Sequence, residues 1–137
     1  MGRVINTNSP GKRRNYQLRT IGELLRLLAQ KQGVDDESRD MVATIIFALR
    51  EVDATVIESM AAWEKRGYWS KASKFQMDWL WASQMAKKLE TLLADDAWES
   101  LPDLMMQLFP HFSDMKINRM TRNADTWQGA YARLLDE

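Results

Sequence analysis

The stretch 36–66, DESRDMVATIIFALREVDATVIESMAAWEKR, decides the fold of this chain. Its main apolar side chains recur at steps of three, four and seven residues: Val42, Ile45, Leu49, Val52, Val56 and Trp63. This spacing is the period of an α-helix and not the alternating period of a strand. Asp35 suits the N-cap position and Gly67 suits a helix end. The pattern therefore predicts one helix of roughly 45 Å.

A second helix is predicted after a short connection. Ser70 is the expected cap of a helix over 71–93, whose apolar face carries Phe75, Trp79, Ala82, Ala86, Leu89 and Leu93. Because the connection is short, the two helices should be antiparallel neighbours. We see no strand pattern elsewhere. The sequence predicts an all-α fold: a helical bundle built on a long antiparallel helix hairpin, about 36–66 and 71–93, with a shorter N-terminal helix and short C-terminal helices.

The N-terminal part is predicted to contain an arm and a helix. Thr20 and Glu23 match the capping box, which predicts a helix from residue 21 to about residue 32. Residues 1–19 show neither period, and Pro10-Gly11 is typical of a loop. We therefore expect an extended basic arm over 1–19 and a single all-helical domain over 20–137.

The C-terminal part is predicted to form short helices. Pro102 fits the first turn of a helix that ends near Phe109. Ser113 is the expected cap of a further helix to about residue 121. Asn123 is the expected cap of a last helix, which would present Trp127 to the interior.

The charge of the chain is balanced but unevenly distributed. The sequence has 19 basic and 19 acidic side chains and no cysteine. Residues 1–31 carry a net charge of +6 and the remainder −6, which suggests a basic arm on an acidic body. The longest apolar run, 41–49, is too short to span a membrane. We expect a cytoplasmic protein, because no secretory signal is apparent. The missing cysteines rule out a disulfide framework.

Catalysis is poorly supported by the sequence. His111 is the only histidine, and no nucleophile is adjacent to it. Asp53, at the edge of the apolar stripe, is either a buried carboxylate or a partner of Arg50. Glu51 and Glu58 share a helix face and form a solvated acidic surface or a weak cation site. We therefore expect no enzymatic activity and no metal or cofactor.

The arm is the first candidate binding segment, with Lys12, Arg13, Arg14, Tyr16 and Arg19. Cations neutralise phosphates and an aromatic ring can stack on a base, so this composition fits RNA or DNA. The same side chains could instead dock on the acidic body of the chain or of a second subunit.

The tip of the hairpin is a secondary candidate, with Lys65, Arg66, Tyr68, Trp69, Lys71 and Lys74. Mixed aromatic and basic side chains fit a partner surface. The alternative is that Trp69 folds back over the end of the bundle while the lysines solvate the turn.

Two functional hypotheses follow. The first is a non-enzymatic binding protein whose arm contacts nucleic-acid phosphates or an acidic protein surface. The second is a structural or adaptor protein that self-associates, or binds a protein partner, through an exposed apolar helix face while the arm latches onto the acidic body. Trp79 and Trp81 point about 200° apart on one helix, so one of them should meet a different helix, a second subunit or a partner. Met105 and Met106 could line a hydrophobic surface.

Overall fold

The structure, a computed structural model, describes residues 9–137 and confirms the all-α fold. No strand is present in this part of the chain. The helices are α1 (Pro10–Ala29), α2 (Asp36–Lys65), α3 (Trp69–Ala94), α4 (Leu101–Leu108), α5 (Ala124–Trp127) and α6 (Ala130–Leu135). Short 3₁₀ turns at Trp98–Ser100 and Phe109–His111 precede and follow α4.

Helices α2 and α3 form the predicted hairpin. The Asp35 carboxylate caps α2 by accepting from the Ser38 N–H at 2.7 Å. Gly67, with φ of +80°, takes the left-handed conformation that a turn requires here. The two helices run antiparallel, since Trp63 packs edge-on against Phe75 near the tip while Arg50 pairs with Glu90 further along. Helix α3 starts one residue before Ser70, and no side chain caps it.

Helix α1 starts eleven residues earlier than predicted. Ser9 caps it, with its hydroxyl oxygen accepting from the Lys12 N–H at 3.3 Å, and Pro10 occupies the first turn. A proline there is preorganised for a helix, and our loop interpretation overlooked this. The extended-arm prediction is therefore wrong for residues 10–19. The rest of the predicted arm, residues 1–8, lies outside the described residues.

The predicted capping box is not formed, because Thr20 lies in the middle of α1. Its hydroxyl donates to the Tyr16 carbonyl instead. The Glu23 side chain turns away from its own helix start and towards residues 121 and 122. Helix α1 runs antiparallel to α2, as its contacts from Arg13 to Glu58 and from Lys31 to Glu37 show.

The C-terminal segment is only partly as predicted. Pro102 lies in the first turn of α4, and Asn123 caps α5 by accepting from the Asp125 N–H. The helix predicted from Ser113 is wrong, because residues 113–123 form a loop that runs along α1. Gly129, with φ of +82°, separates α5 from α6.

The core lies where the three long helices meet. It contains the buried side chains Ile21, Leu24 and Leu25 of α1, Ile45, Leu49 and Val52 of α2, and Ala82, Met85 and Leu89 of α3. Trp98, Phe112 and Trp127 cover it from the C-terminal segment. Trp81 lies against His111 and Phe112 of the C-terminal segment. Its ring centre is also 5.8 Å from that of Trp79, so the two rings are neighbours although their positions on the helix are about 200° apart.

Candidate protein-interaction surface

Arg13 of the predicted arm is held by the acidic face of α2. Its guanidinium forms ion pairs with Glu51 and, at 2.8 Å, with Glu58. The hydrogen bonds that Arg13 donates to these two carboxylates raise the pKa of Arg13. The face that we considered as a weak cation site therefore binds a cation of the chain itself.

The Arg14 side chain extends from α1 and contacts both α2 and α3. Its guanidinium is 4.8 Å from the centre of the Phe75 ring and 5.5 Å from that of Trp79. It also donates to the hydroxyls of Thr55 and Ser59, at 3.2 and 2.8 Å. Burial lowers the pKa of Arg14. These contacts give Arg14 a packing role in the bundle.

Arg19 belongs to a network that ties the loop 113–123 to α1. It donates to the buried Glu23 carboxylate at 2.7 Å and to the Arg119 carbonyl at 2.9 Å. Glu23 also accepts from the backbone N–H groups of Thr121 and Arg122 and from the Thr121 hydroxyl. The sequence carried no signal for this role, because the partners are about 100 residues apart.

The pKa of Glu23 reflects this network. Burial would raise it, but hydrogen bonds from the Thr121 hydroxyl, Arg19 and the N–H groups of Arg122 and Thr121 lower it to about 2. The carboxylate is therefore charged at neutral pH although it is fully buried.

The hairpin tip places its aromatic side chains in solvent. Tyr68 is 54% exposed and Trp69 is 63% exposed, so the alternative in which Trp69 covers the bundle end is wrong. Trp63 and Phe75 fill that position. Lys71 lies 5.1 Å from the centre of the Trp63 ring.

An exposed row of large apolar side chains, which we did not predict from the sequence, continues from the tip along α3. At 100° per residue, the side chains of Trp69, Met77 and Leu80 lie within about 80° of one another, with the small Ser73 between them. All three are exposed, with Met77 at 74% and Leu80 at 43%. We call Trp69, Met77 and Leu80 the α3 stripe. Exposed apolar side chains grouped on one face are typical of interaction sites.

The signal for this stripe was present in the sequence. The outer face of α3 lies opposite the apolar face that we assigned to the core, so charged and polar residues are expected there. From Trp69 to Gln84 that face carries no charged side chain, and its polar members, Ser73, Gln76 and Gln84, are neutral.

A second apolar surface lies between α1 and α4. Met105 and Met106 line a cavity of about 390 Å³, and Met106 is 70% exposed. Lys31 and Glu99 of opposite charge border it.

The candidate catalytic residues are not brought together into a site. The His111 ring stacks on Trp81, with ring centres 3.9 Å apart, and burial lowers the pKa of His111. The expected pairing of Arg50 with Asp53 is wrong, because Arg50 pairs with Glu90 and Glu137. Among the described residues, no group of three or more acidic or histidine side chains could hold a metal ion.

Comparison with known proteins gave no match: no protein-family model matches the chain, and no curated protein or solved structure is significantly similar to it. Over residues 9–137, each helix is too short or too polar to cross a bilayer.

Proposed function

We propose that this chain is a non-enzymatic protein-binding module, and that its α3 stripe binds an amphipathic helix with acidic flanks on a partner protein. The observation that carries the proposal is the exposed, uncharged helix face on which Trp69, Met77 and Leu80 lie. Apolar residues at such helical spacing are the usual anchors when one helix docks on another. Exposed tryptophan is also strongly enriched among the residues that dominate binding energy.

Charge complementarity indicates an acidic partner. The cations Lys65, Arg66, Lys71 and Lys74 surround the Trp69 end of the stripe, and Lys87 and Lys88 lie beyond its other end. Against these six cations, the stretch 64–88 carries two carboxylates, Glu64 and Asp78, and Asp78 pairs with Lys74 at 3.2 Å. A helix that carries glutamates beside its apolar face would form ion pairs with these cations. Such pairs favour association and orient the partner.

The same cations disfavour the pairing of two copies of the chain through the α3 stripe. In an antiparallel dimer centred on Met77, Arg66 of one copy would lie beside Lys88 of the other. In a parallel dimer, each lysine would face its own equivalent. Both arrangements place like charges together, which costs several kcal/mol.

The contacts of Arg13 and Arg14 also support the adaptor hypothesis over a free nucleic-acid arm. Both guanidiniums are directed to α2 or α3, so α1 latches onto the acidic face of α2. The outer face of α3 remains uncovered by this arrangement.

The proposal is tested with two designed helical peptides that share one apolar face and differ only in having glutamate or lysine flanks. We expect the acidic peptide to bind, with affinity that falls as salt rises, and the basic peptide not to bind. The measurement is fluorescence anisotropy of the labelled peptides.

Met77→Glu should weaken binding of the acidic peptide by about tenfold or more, because it places a charge in the interface and repels the peptide. Met106→Glu is the matched control, since Met106 is equally exposed but lies on α4. Equal binding of both peptides, or equal loss in both variants, would contradict the proposal. A dimer in sedimentation velocity that Met77→Glu dissociates would show instead that the stripe pairs with itself.

A further inference from the structure

The loop 113–123 places a second group of cations beside those of α1. The loop runs antiparallel to the helix: Arg26 donates to the Met115 carbonyl, Arg19 donates to the Arg119 carbonyl, and Arg122 donates to the Tyr16 carbonyl. The cations on this side of the molecule are Lys12, Arg19 and Arg26 of α1 and Lys116, Arg119 and Arg122 of the loop. We call these six residues the basic track.

The basic track keeps most of its charge. The carboxylates of the loop and of this side of α1 are Asp114 and Glu23, so six cations against two anions leave a net charge of +4. Glu23 is fully buried and already accepts four hydrogen bonds. The rest of the chain beyond residue 31 is acidic, which makes this local excess conspicuous.

The track is linear. Lys12 and Arg26 are fourteen residues apart on α1, which corresponds to roughly 21 Å along the helix axis. Cations of the loop lie beside the helix over this length, because Arg19 donates to the Arg119 carbonyl and Arg122 donates to the Tyr16 carbonyl. A row of cations of this kind matches the backbone of a nucleic-acid strand.

Tyr16 adds a stacking surface to the track. Its side chain is 57% exposed, and the Arg122 guanidinium lies 4.1 Å from the centre of its ring. An exposed aromatic ring on a convex helix can stack on an unpaired base, whereas the bases of a duplex are already stacked on one another.

We infer that the basic track binds single-stranded nucleic acid, with its cations on the phosphates and Tyr16 stacked on a base. This inference retains Lys12, Tyr16 and Arg19 from the predicted arm and adds Arg26, Lys116, Arg119 and Arg122. It does not depend on the α3 stripe, which lies on a different helix.

The test is the binding of labelled oligonucleotides of about 12 nucleotides, RNA and DNA, single-stranded and duplex, measured by fluorescence anisotropy at several salt concentrations. We expect both single strands to bind more tightly than the duplexes. An oligonucleotide that lacks bases but keeps its phosphates should bind about tenfold more weakly, because it has no base to stack on Tyr16.

The charge variant is Lys12→Gln/Lys116→Gln/Arg119→Gln. Within residues 9–137 the structure gives no hydrogen bond or ion pair to these three side chains, so the variant should fold normally. The slope of log Kd against log salt should fall by about 2, or about 0.7 for each phosphate that is no longer neutralised. Lys65→Gln/Arg66→Gln/Lys87→Gln removes the same charge elsewhere and should leave oligonucleotide binding unchanged.

Tyr16 is tested separately. Tyr16→Phe should bind the oligonucleotide as tightly as the wild type does, because phenylalanine keeps a ring for stacking. Tyr16→Ser should bind it about tenfold more weakly, because serine has no ring. Equal loss in the two triple variants, or equal binding of duplex, single strand and abasic strand, would overturn the inference. So would displacement of the oligonucleotide by polyglutamate at equal charge, which would identify an acidic protein as the ligand.

Discussion

Glu23 is a fully buried carboxylate that joins α1 to the loop 113–123. It accepts from the Thr121 N–H at 2.7 Å, from the Arg122 N–H at 2.9 Å and from Arg19. Glu23→Gln turns one acceptor into a donor, so at least one buried N–H group loses its partner. We expect the free energy of unfolding to fall by about 2–3 kcal/mol. Urea denaturation should show a lower midpoint with an unchanged slope.

Glu58→Gln is the control for this prediction. It removes an ion pair with Arg13 in which the Glu58 side chain is nearly half exposed. Exposed pairs of this kind contribute less than about 1 kcal/mol. If Glu23→Gln costs no more than Glu58→Gln, the buried carboxylate does not hold the loop.

Glu23 should also make stability depend on pH. Its pKa is lowered from 4.5 to about 2 in the folded state. A carboxyl with a lowered pKa stabilises the fold above its ordinary pKa, and this contribution is lost as pH falls from about 4.5 to about 2. At 1.36 kcal/mol per pKa unit, it amounts to about 3 kcal/mol at most. The difference in unfolding free energy between wild type and Glu23→Gln should shrink over that range. A difference that stays constant would contradict the prediction.

At the scale of elements, the N-terminal half of α1 gives the clearest test. Asn15 is exposed in the interior of this helix. Asn15→Pro should cost about 3 kcal/mol or more, because proline removes a helical hydrogen bond and clashes with the preceding turn. Asn15→Ala should be neutral or slightly stabilising. Thermal unfolding, monitored by circular dichroism, distinguishes a helical segment from an extended arm, which would tolerate both substitutions equally.

The elements that the sequence predicted correctly are those whose signals are local. Helix α2 has a continuous apolar stripe, a capping aspartate at Asp35 and a stop at Gly67, and its bounds agree with the prediction to within one residue. Asn123, another local capping signal, caps α5 as predicted. The fold class could be predicted because the long hairpin depends on such signals alone.

The loop 113–123 could not be predicted because distant residues determine its path. Met115 packs against Gly22, where an added Cβ would lie only 2.6 Å from the Met115 sulfur, and Glu23 fixes residues 121 and 122. Ser113 is therefore not followed by a helix, although serine is a favourable N-cap residue. Of the six residues of the basic track, only Lys12 and Arg19 were predicted from the sequence to bind a partner.

At the scale of the whole molecule, the uneven charge has two structural consequences. On one side of α1, Arg13 pairs with the acidic face of α2. On another, Lys12 and Arg19 join the cations of the loop 113–123. The excess of positive charge was evident in the sequence. Which of these cations pack against the bundle and which stay on the surface was not evident, because this depends on the side of the helix that each residue occupies.

This division determines how a truncated chain should behave. Deleting residues 1–19 removes Arg14, which contacts Phe75 and Trp79, and also removes Lys12, Tyr16 and Arg19 from the basic track. We expect the melting temperature to fall by about 10 °C or more, since a loss of 1 kcal/mol corresponds to about 2–8 °C for domains of this size range. Oligonucleotide binding should be lost as well, so truncation alone cannot separate packing from recognition.

The charge variant of the basic track separates them. It should bind the oligonucleotide more weakly and with a smaller salt dependence at an unchanged melting temperature, because Arg13 and Arg14 still contact α2 and α3. Differential scanning calorimetry of both proteins beside the wild type provides the comparison. If the truncated chain melts within about 2 °C of the wild type, the N-terminal half of α1 does not stabilise the bundle. The arginines at its start would then be available to ligands, as an extended arm requires.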